Sequence, residues 1–505
     1  MLETLITTPL LSIPTVIASA ILSMAIYHLI VYFSKSHKDV IKERYPFQNT
    51  IELAWNSDVI LDYMLEKSKS IPDDRKCGVF NTLGLPWIVV TNDVENITHV
   101  LKNVDTYGKG PLFSEKFYGL LGDGIFSSDG AVWYKHRKTS SHLFNLNKFK
   151  SSVLDTFNDH CNILIDILSS STGPIDIQDL FMKFTLESIG QIAFGQELGT
   201  MTKKRVIFAE AFDYCQAQIN ESFLDPLWLL KRLFTPSGWW YYLSLSRVNK
   251  FAYAVVKQRK KEFAERSAES KGKGDLLSLY LERQDTEKDG ELTDRNLRDV
   301  VLSFVIAGRD TTANALSWAA YRLCIHPDIQ QRVYEEIKSV LTTRNVDYMD
   351  SSFRLSYECL QDMKYLEAFC MEVLRLYPSI PKEAKFAMKD DILPDGTVVP
   401  KGFMVIFCPW LMGRTESLWE DCMTFNPDRF YNTPKPSPFK FTAFQAGPRI
   451  CLGQNLAMLE MKCVLARLLL SFSLKLEQSA DSVTYVSTIS MPIKGGLLVS
   501  ASPRL

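Results

Sequence analysis

Between Leu10 and Phe33 the chain runs for 24 residues without a single Asp, Glu, Lys or Arg. No other stretch limits the possible architectures as much. At about 1.5 Å of rise per residue, a helix of that length crosses a bilayer with a slight tilt. Glu3 is the only charged side chain ahead of the run, and Lys35, Lys38, Lys42 and Arg44 follow it. The positive-inside rule then leaves everything after about residue 35 on the cytosolic side. A cleaved signal peptide would be shorter and basic at its start. The expected plan is a single-pass membrane anchor over 1–34 and one cytosolic unit over 35–505. The sequons Asn96-Ile97-Thr98 and Asn220-Glu221-Ser222 then face the cytosol and should carry no glycan.

The cytosolic unit offers no footing for nucleic acid. The chain has 57 Lys and Arg against 58 Asp and Glu, a net charge of -1, and no block of like charge. Its 10 Cys are scattered without a C-x-x-C pair, which fits buried thiols in a reducing compartment better than a disulfide framework. The pattern is mainly α with a small β-rich part. Gly78 to Leu83 and Trp87 to Thr91, split by Gly84 and Pro86, read as a hairpin. Asp93 is placed to cap a helix reaching about Leu101. Lys148 to Asn220 is helical, with breaks near Gly173 and Gly199. Phe223 to Tyr242 is apolar, interrupted by Pro226 and Pro236, and reads as an irregular segment: a lid, a membrane-touching loop or core packing. Glu265 to Glu291 is polar and should hold exposed loops. Two long helices follow, about Thr293 to Cys324 and about Asp362 to Leu376, the second ended near Tyr377 by Pro378. Asp390 to Val405 carries strand residues around the turn Pro394-Asp395-Gly396.

One cysteine lies between glycines in Phe444-Gln445-Ala446-Gly447-Pro448-Arg449-Ile450-Cys451-Leu452-Gly453. The stretch resembles the haem-binding signature of cytochromes P450, F-x-x-G-x-R-x-C-x-G, at every fixed position. The resemblance implies haem b, held non-covalently apart from an axial Cys451 thiolate. A thiolate approaching iron needs a tight loop, which accounts for Gly447 and Gly453. Amide N–H groups around the sulfur would moderate its basicity, and a helix starting near Leu452 would turn its positive end toward it. Arg449 would reach a haem propionate, and Phe444 would shield the sulfur from water.

The family's other motifs follow in family order. Glu372-Val373-Leu374-Arg375 matches E-x-x-R, whose spacing puts both side chains on one helix face, and Pro427-Asp428-Arg429-Phe430 matches P-x-R-F. Together they imply a Glu372–Arg375–Arg429 charge network beneath the haem. Ala307-Gly308-Arg309-Asp310-Thr311 matches the oxygen-activation motif A-G-x-D-T. The resemblance gives Ala307 and Gly308 the role of leaving room for dioxygen, Thr311 that of holding it with a water, and Asp310 that of feeding protons. Trp133-Tyr134-Lys135-His136-Arg137 matches W-x-x-x-R, so Trp133 and Arg137 can reach one propionate. Lys385 sits where many relatives have a further basic partner.

The likeness covers about residue 45 to the end and implies a cytochrome P450 of the endoplasmic-reticulum type. It implies a helix-rich body, a smaller β-rich lobe built from the two chain ends, and a transmembrane helix ahead of them. It also implies electrons from NADPH through a membrane-bound cytochrome P450 reductase with an acidic docking face, which Lys135, Lys138, Lys440 and Lys462 could meet. Several stretches resemble plant fatty-acid ω-hydroxylases, among them Lys109-Gly110-Pro111-Leu112-Phe113, Leu121-Gly122-Asp123-Gly124-Ile125-Phe126, Leu376-Tyr377-Pro378-Ser379-Ile380-Pro381 and Asp390-Asp391-Ile392-Leu393-Pro394-Asp395-Gly396. They imply hydroxylation of a long-chain fatty acid at or near its ω end. Animal ω-hydroxylases often carry a haem-esterifying Glu where this chain has Ala307. A steroid or another bulky lipophile is the alternative substrate. An isomerase or dehydratase of the same fold acting on hydroperoxides, and a non-catalytic haem carrier, are opposed by Asp310 and Thr311.

Overall fold

Apolar side chains at helical spacing build most of the described chain, and short β-rich runs are gathered at one part of it. The computed structural model describes residues 49–69, 76–82, 85–144, 147–225, 227–265, 275–286, 293–348 and 353–504. The expected anchor over 1–34 lies outside them. Among the described residues no helix is long and apolar enough to cross a membrane.

Of four apolar clusters among the described residues, two are large and make most of the core. The larger joins Asn147–Ser169, Ile177–Phe194, Asp310–Ile325, Pro327–Thr343, Lys364–Leu376 and Gln454–Ser471. Trp318 anchors it, stacked on Tyr377 at 4.2 Å with its indole N–H donating to the Met491 carbonyl at 2.9 Å. The second cluster joins Gly110–Leu121, Ile207–Leu224, Pro236–Ala264 and Asp294–Gly308. Helix Ile177–Phe194 contributes to both.

The strands form three sheets. The largest has the order β1-β2-β8-β5-β3, with β1 Cys77–Phe80, β2 Ile88–Thr91, β3 Tyr107–Gly108, β5 Glu383–Ala387 and β8 Met404–Phe407. β1 and β2 pair antiparallel with Gly78 opposite Val90, the expected hairpin. Asp93 caps Val94–Lys102, its carboxylate accepting the Glu95 and Asn96 amides at 3.0 Å. β6 Asp391–Ile392 and β7 Val398–Val399 flank the expected turn.

Four expectations need correction. The β-rich lobe does not come from the two chain ends: its five strands come from 77–108 and 383–407. The last strands, β9 Phe472–Leu476 and β10 Leu498–Pro503, pair instead with β4 Ile175–Asp176. Most of the described residues in 223–242 are helical, not irregular. Pro236 falls in the first turn of Pro236–Ala264, where no hydrogen bond is lost to it, so the helix runs 29 residues. Its start and the short helix Trp228–Phe234 leave Leu230, Phe234 and Trp239 more than half exposed. The polar segment 265–291 contains Leu276–Thr286, a helix whose Leu276, Leu277, Tyr280 and Leu281 are buried in the second cluster. The long helix expected from Thr293 starts there, with Thr293 and Asn296 in a reciprocal capping box, but it is broken at Arg309 into Asp294–Gly308 and Asp310–Ile325.

Candidate active site

Where the two clusters meet, a cavity of about 290 Å³ opens. Trp133, Arg137, Ala307, Gly308, Asp310, Thr311, Phe444, Arg449, Cys451 and Gly453 all line it. Residues separated by more than three hundred positions therefore share one wall.

The cysteine loop contributes part of that wall. Its backbone turns through two short 3-10 segments, Thr442–Phe444 and Gly447–Arg449. The Cys451 amide donates to the Phe444 carbonyl at 2.9 Å, which closes the loop on itself. Gly447 holds φ +69°, and a Cβ there would lie 2.6 Å from the Leu101 carbonyl oxygen, so both conformation and space require glycine. Gly453 is different. Its φ is ordinary, and a Cβ would only touch the Cys451 sulfur at 3.8 Å. Its amide faces that sulfur. Helix Gln454–Ser471 begins after Gly453, slightly later than expected. Cys451 is exposed, and the space it faces is the cavity. Burial of the loop pushes the Cys451 thiol up, while the Gly453 amide and the Arg137 charge pull it down.

The broken helix contributes a second part. The Thr311 hydroxyl donates to the Ala307 carbonyl at 2.6 Å, a back-bond of the kind that bends helices, beside the break at Arg309. The Ser379 hydroxyl donates to the Thr311 carbonyl at 2.6 Å. Asp310 is buried and accepts from Gln216 Nε2 at 2.8 Å, with Arg309 at 3.4 Å. Arg309 is itself paired with Asp213. Burial pushes the Asp310 carboxyl up, and Arg309 opposes it. Gly308 lines the cavity, and a Cβ on it would meet Ile189 Cδ1 at 2.7 Å, a side chain of the same lining, so its smallness also lets helix Ile177–Phe194 pack close.

A cationic edge completes the wall. Arg137 donates to the Ile450 carbonyl at 2.5 Å. Arg449 stacks over Trp133 at 4.3 Å and pairs with Asp129 at 2.5 Å. Asp129 also accepts the Lys109 and Gly110 amides, at 2.9 and 3.1 Å, and so ties two loops together. Lys385 does not line the cavity. It stands behind the edge, 2% exposed and 3.9 Å from Glu383. Its ammonium and the Arg449 Nε find no hydrogen-bond acceptor among the described residues. Burial, then the neighbouring Lys109 charge, lowers the Lys385 pKa to about 7. Buried donors without acceptors call for an anion at this edge, and the carboxylates of a haem satisfy that demand. The residues present fit the group.

Beneath the cavity, Glu372 accepts both Arg375 Nε and Nη2 at 2.7 Å, with Arg429 Nε at 3.6 Å. The docking lysines separate. Lys135 and Lys138 are exposed and Lys440 is half-buried over Trp419. Lys462 is 5% exposed and paired with Glu367 at 3.3 Å, so it faces no partner protein. Sequence reasoning missed Lys109, Asp129, Asp213, Gln216 and Glu383. Lys109 lies in a stretch read only as a family likeness and the others in no motif; the fold brings Lys109, Gln216 and Glu383 to the cavity and sets Asp129 and Asp213 against Arg449 and Arg309 behind it.

A family model described as Cytochrome P450 matches residues 82–499. The chain is 37% identical over 452 residues to cytochrome P450 704B1 of Arabidopsis thaliana, covering 82% of this chain and 86% of that protein. It is 33% identical over 451 residues to cytochrome P450 86B1 of the same plant, covering 85% and 80%. It is 31% identical over 476 residues to cytochrome P450 94A1 of Vicia sativa, covering 90% and 87%.

Proposed function

The chain belongs to the cytochrome P450 family of haem-thiolate monooxygenases, and we propose that it hydroxylates a long-chain fatty acid at or near its ω end. Cys451 would supply the thiolate. Arg137, Arg449 and Trp133 would hold the haem carboxylates, joined by Lys109 from the cavity wall and backed by the Lys385 charge behind the edge. When bound, the haem would activate dioxygen with two electrons drawn from NADPH and two protons, so that one oxygen atom enters a substrate C–H bond and the other leaves as water. The chain's own part is binding, orientation and proton handling. Asp310 Oδ2, held by Gln216, would store and release a proton, and Thr311 Oγ1 would turn from the Ala307 carbonyl to position a water.

The observation that carries the reading is the meeting of Cys451 with the Ala307–Thr311 turn in one cavity. Ile125, Phe126, Phe304, Ile306, Ile380 and Ile489 make the rest of its lining largely apolar, which supports a lipophilic substrate. A terminal C–H bond is stronger than its neighbours, so attack there depends on how these side chains position the chain end. The stretches resembling plant ω-hydroxylases support a fatty acid over a bulkier lipophile. Anchoring by residues 1–34 would hold the catalytic unit at the cytosolic face of the endoplasmic-reticulum membrane, where an NADPH-dependent P450 reductase would reach Lys135, Lys138 and Lys440.

Turnover with a membrane-bound reductase and NADPH, offered palmitic acid and a steroid together, tests this. The expected product is a terminally or near-terminally hydroxylated acid, identified by mass spectrometry. A hydroxysteroid beside untouched acid would overturn the substrate reading and leave the family intact.

A further inference from the structure

Lys116 is an ammonium in an unusual place. It is 3% exposed, on helix Gly110–Leu121. Its Nζ donates to the Ser222 carbonyl at 2.6 Å, near the end of helix Ile207–Leu224. Among the described residues it forms no ion pair. Of the carboxylates whose charge it feels, Glu115 is exposed on the same helix and Asp225 is taken by Lys231 at 2.7 Å. Two aromatic faces close around it, Trp228 at 4.3 Å and Phe223 at 5.4 Å. Arg232 lies over the same Trp228 ring at 4.9 Å, so a second cation is close. Burial lowers the Lys116 pKa to about 8, which still leaves it largely charged at neutral pH.

A run of packed aromatic rings links the surroundings of this cation to the cavity lining. Phe126 lines the cavity. Phe113 lies 5.9 Å from Phe126, and Phe223 lies 6.3 Å from Phe113. Phe117 bridges the same three rings, at 4.3, 6.0 and 6.2 Å. The packed rings therefore connect the cavity lining to a buried ammonium that has no ion pair among the described residues and spends one N–H group on Ser222. A long-chain fatty acid has the complementary form, an apolar tail ending in one carboxylate.

We propose that Lys116, flanked by Trp228 and Phe223, seats the substrate carboxylate, while the tail follows the Phe113–Phe117–Phe126 wall toward Cys451. This deepens the fatty-acid reading and rests on it. The carboxylate would replace the missing counter-charge, and its anchoring at one end sets which carbon reaches the other. A lysine that merely caps the helix end would treat acids and esters alike.

The test is substrate binding to the holoenzyme, read as the optical spin-state shift on titration with palmitic acid and with its methyl ester. The parent should bind the acid about tenfold more tightly than the ester, as loss of a charge-assisted hydrogen bond requires. Lys116→Gln should remove that preference and Lys116→Arg should keep it. Equal affinity of the parent for acid and ester would overturn the carboxylate seat, as would a preference that survives Lys116→Gln. If Lys116→Gln fails to fold, the parent's acid-to-ester ratio and Lys116→Arg still decide. Failure of the fatty-acid reading looks different: neither palmitic acid nor its ester shifts the spectrum, while a steroid does.

Discussion

Glu372→Ala should destabilise the protein by about 4 kcal/mol, and the figure follows from what the carboxylate touches. Both Glu372 and Arg375 side chains are 0% exposed. Glu372 takes two hydrogen bonds from Arg375 at 2.7 Å and one from the Asn426 amide at 2.8 Å. Removing it strands a buried guanidinium, which costs about 3–5 kcal/mol. It also leaves the Asn426 amide without an acceptor, which adds about 1–3 kcal/mol. Arg375 keeps the carbonyls of Gly413, Cys422 and Thr424, the last two at 2.6 and 3.0 Å, and Arg429 keeps those of Glu420 and Asp421 at 2.6 and 3.3 Å. Those dipoles soften the stranded charge, so the low end of each range applies. Against a total stability of about 5–15 kcal/mol, the loss is a large share. Equilibrium urea unfolding followed by tryptophan fluorescence measures it, with the reduced carbon monoxide spectrum reporting haem retention in parallel. A loss under about 1 kcal/mol with haem retained would refute the reasoning, because it would mean that water or backbone relaxation screens Arg375 in a site with no exposed surface.

Three further outcomes follow from the same geometry. Cys451→Ala should lose the thiolate signature in the reduced carbon monoxide spectrum, and a normal spectrum would remove Cys451 from the ligand position. Thr311→Ala should retain haem but divert NADPH-derived electrons into peroxide, read as hydrogen peroxide formed per NADPH; unchanged coupling to product would exclude the proposed role. Lys385 binds its proton less tightly folded, at about 7, than the usual lysine value of 10.5. The unfolded chain thus holds more protons above that pKa, and stability of the haem-free protein should rise with pH from about 7 toward 10. Lys385→Met should stabilise the haem-free protein at pH 7, flatten that rise and speed haem transfer to apomyoglobin; an unchanged transfer rate would detach Lys385 from the haem edge.

What could be read from the sequence divides along a physical line. Motifs whose parts lie within one turn or one loop were legible, because local geometry already fixes their relation. Glu372 and Arg375 share a helix face by spacing alone, and the Phe444–Gly453 loop carries its glycines beside its cysteine. The hairpin over 77–91 and the Asp93 cap are equally local. Residues 223–242 are hard to read because a proline marks either a break or a helix start: Pro236 begins a helix, where it costs nothing. The helix Leu276–Thr286 was hidden by the polar composition of its flanks, though its apolar residues recur at helical spacing. The motif points Gly308 toward the cavity, which it lines, but only the packed partner Ile189 shows that its missing side chain also accommodates a second helix.

Long-range pairings were illegible, and they change how the site works. Asp310 is named by a motif, but its setting comes from helix Ile207–Leu224, which supplies Gln216 to its carboxylate and Asp213 to the adjacent Arg309. Gln216 also lines the cavity, and the same helix ends near Ser222, against Lys116. One rigid element therefore touches substrate space, the proton-holding acid and the buried cation. A shift of this helix would act on the 2.8 Å bond to Asp310 and the 2.6 Å bond from Lys116 at once, since both are made by the same packed element. Gln216→Leu separates the two effects. It cuts the bond to Asp310 but leaves the contact between Ser222 and Lys116 in place. Peroxide per NADPH should then rise several-fold while palmitic acid still binds in preference to its ester. Equal loss of coupling and of acid preference would mean that Gln216 holds the whole helix in place and has no separate hold on Asp310.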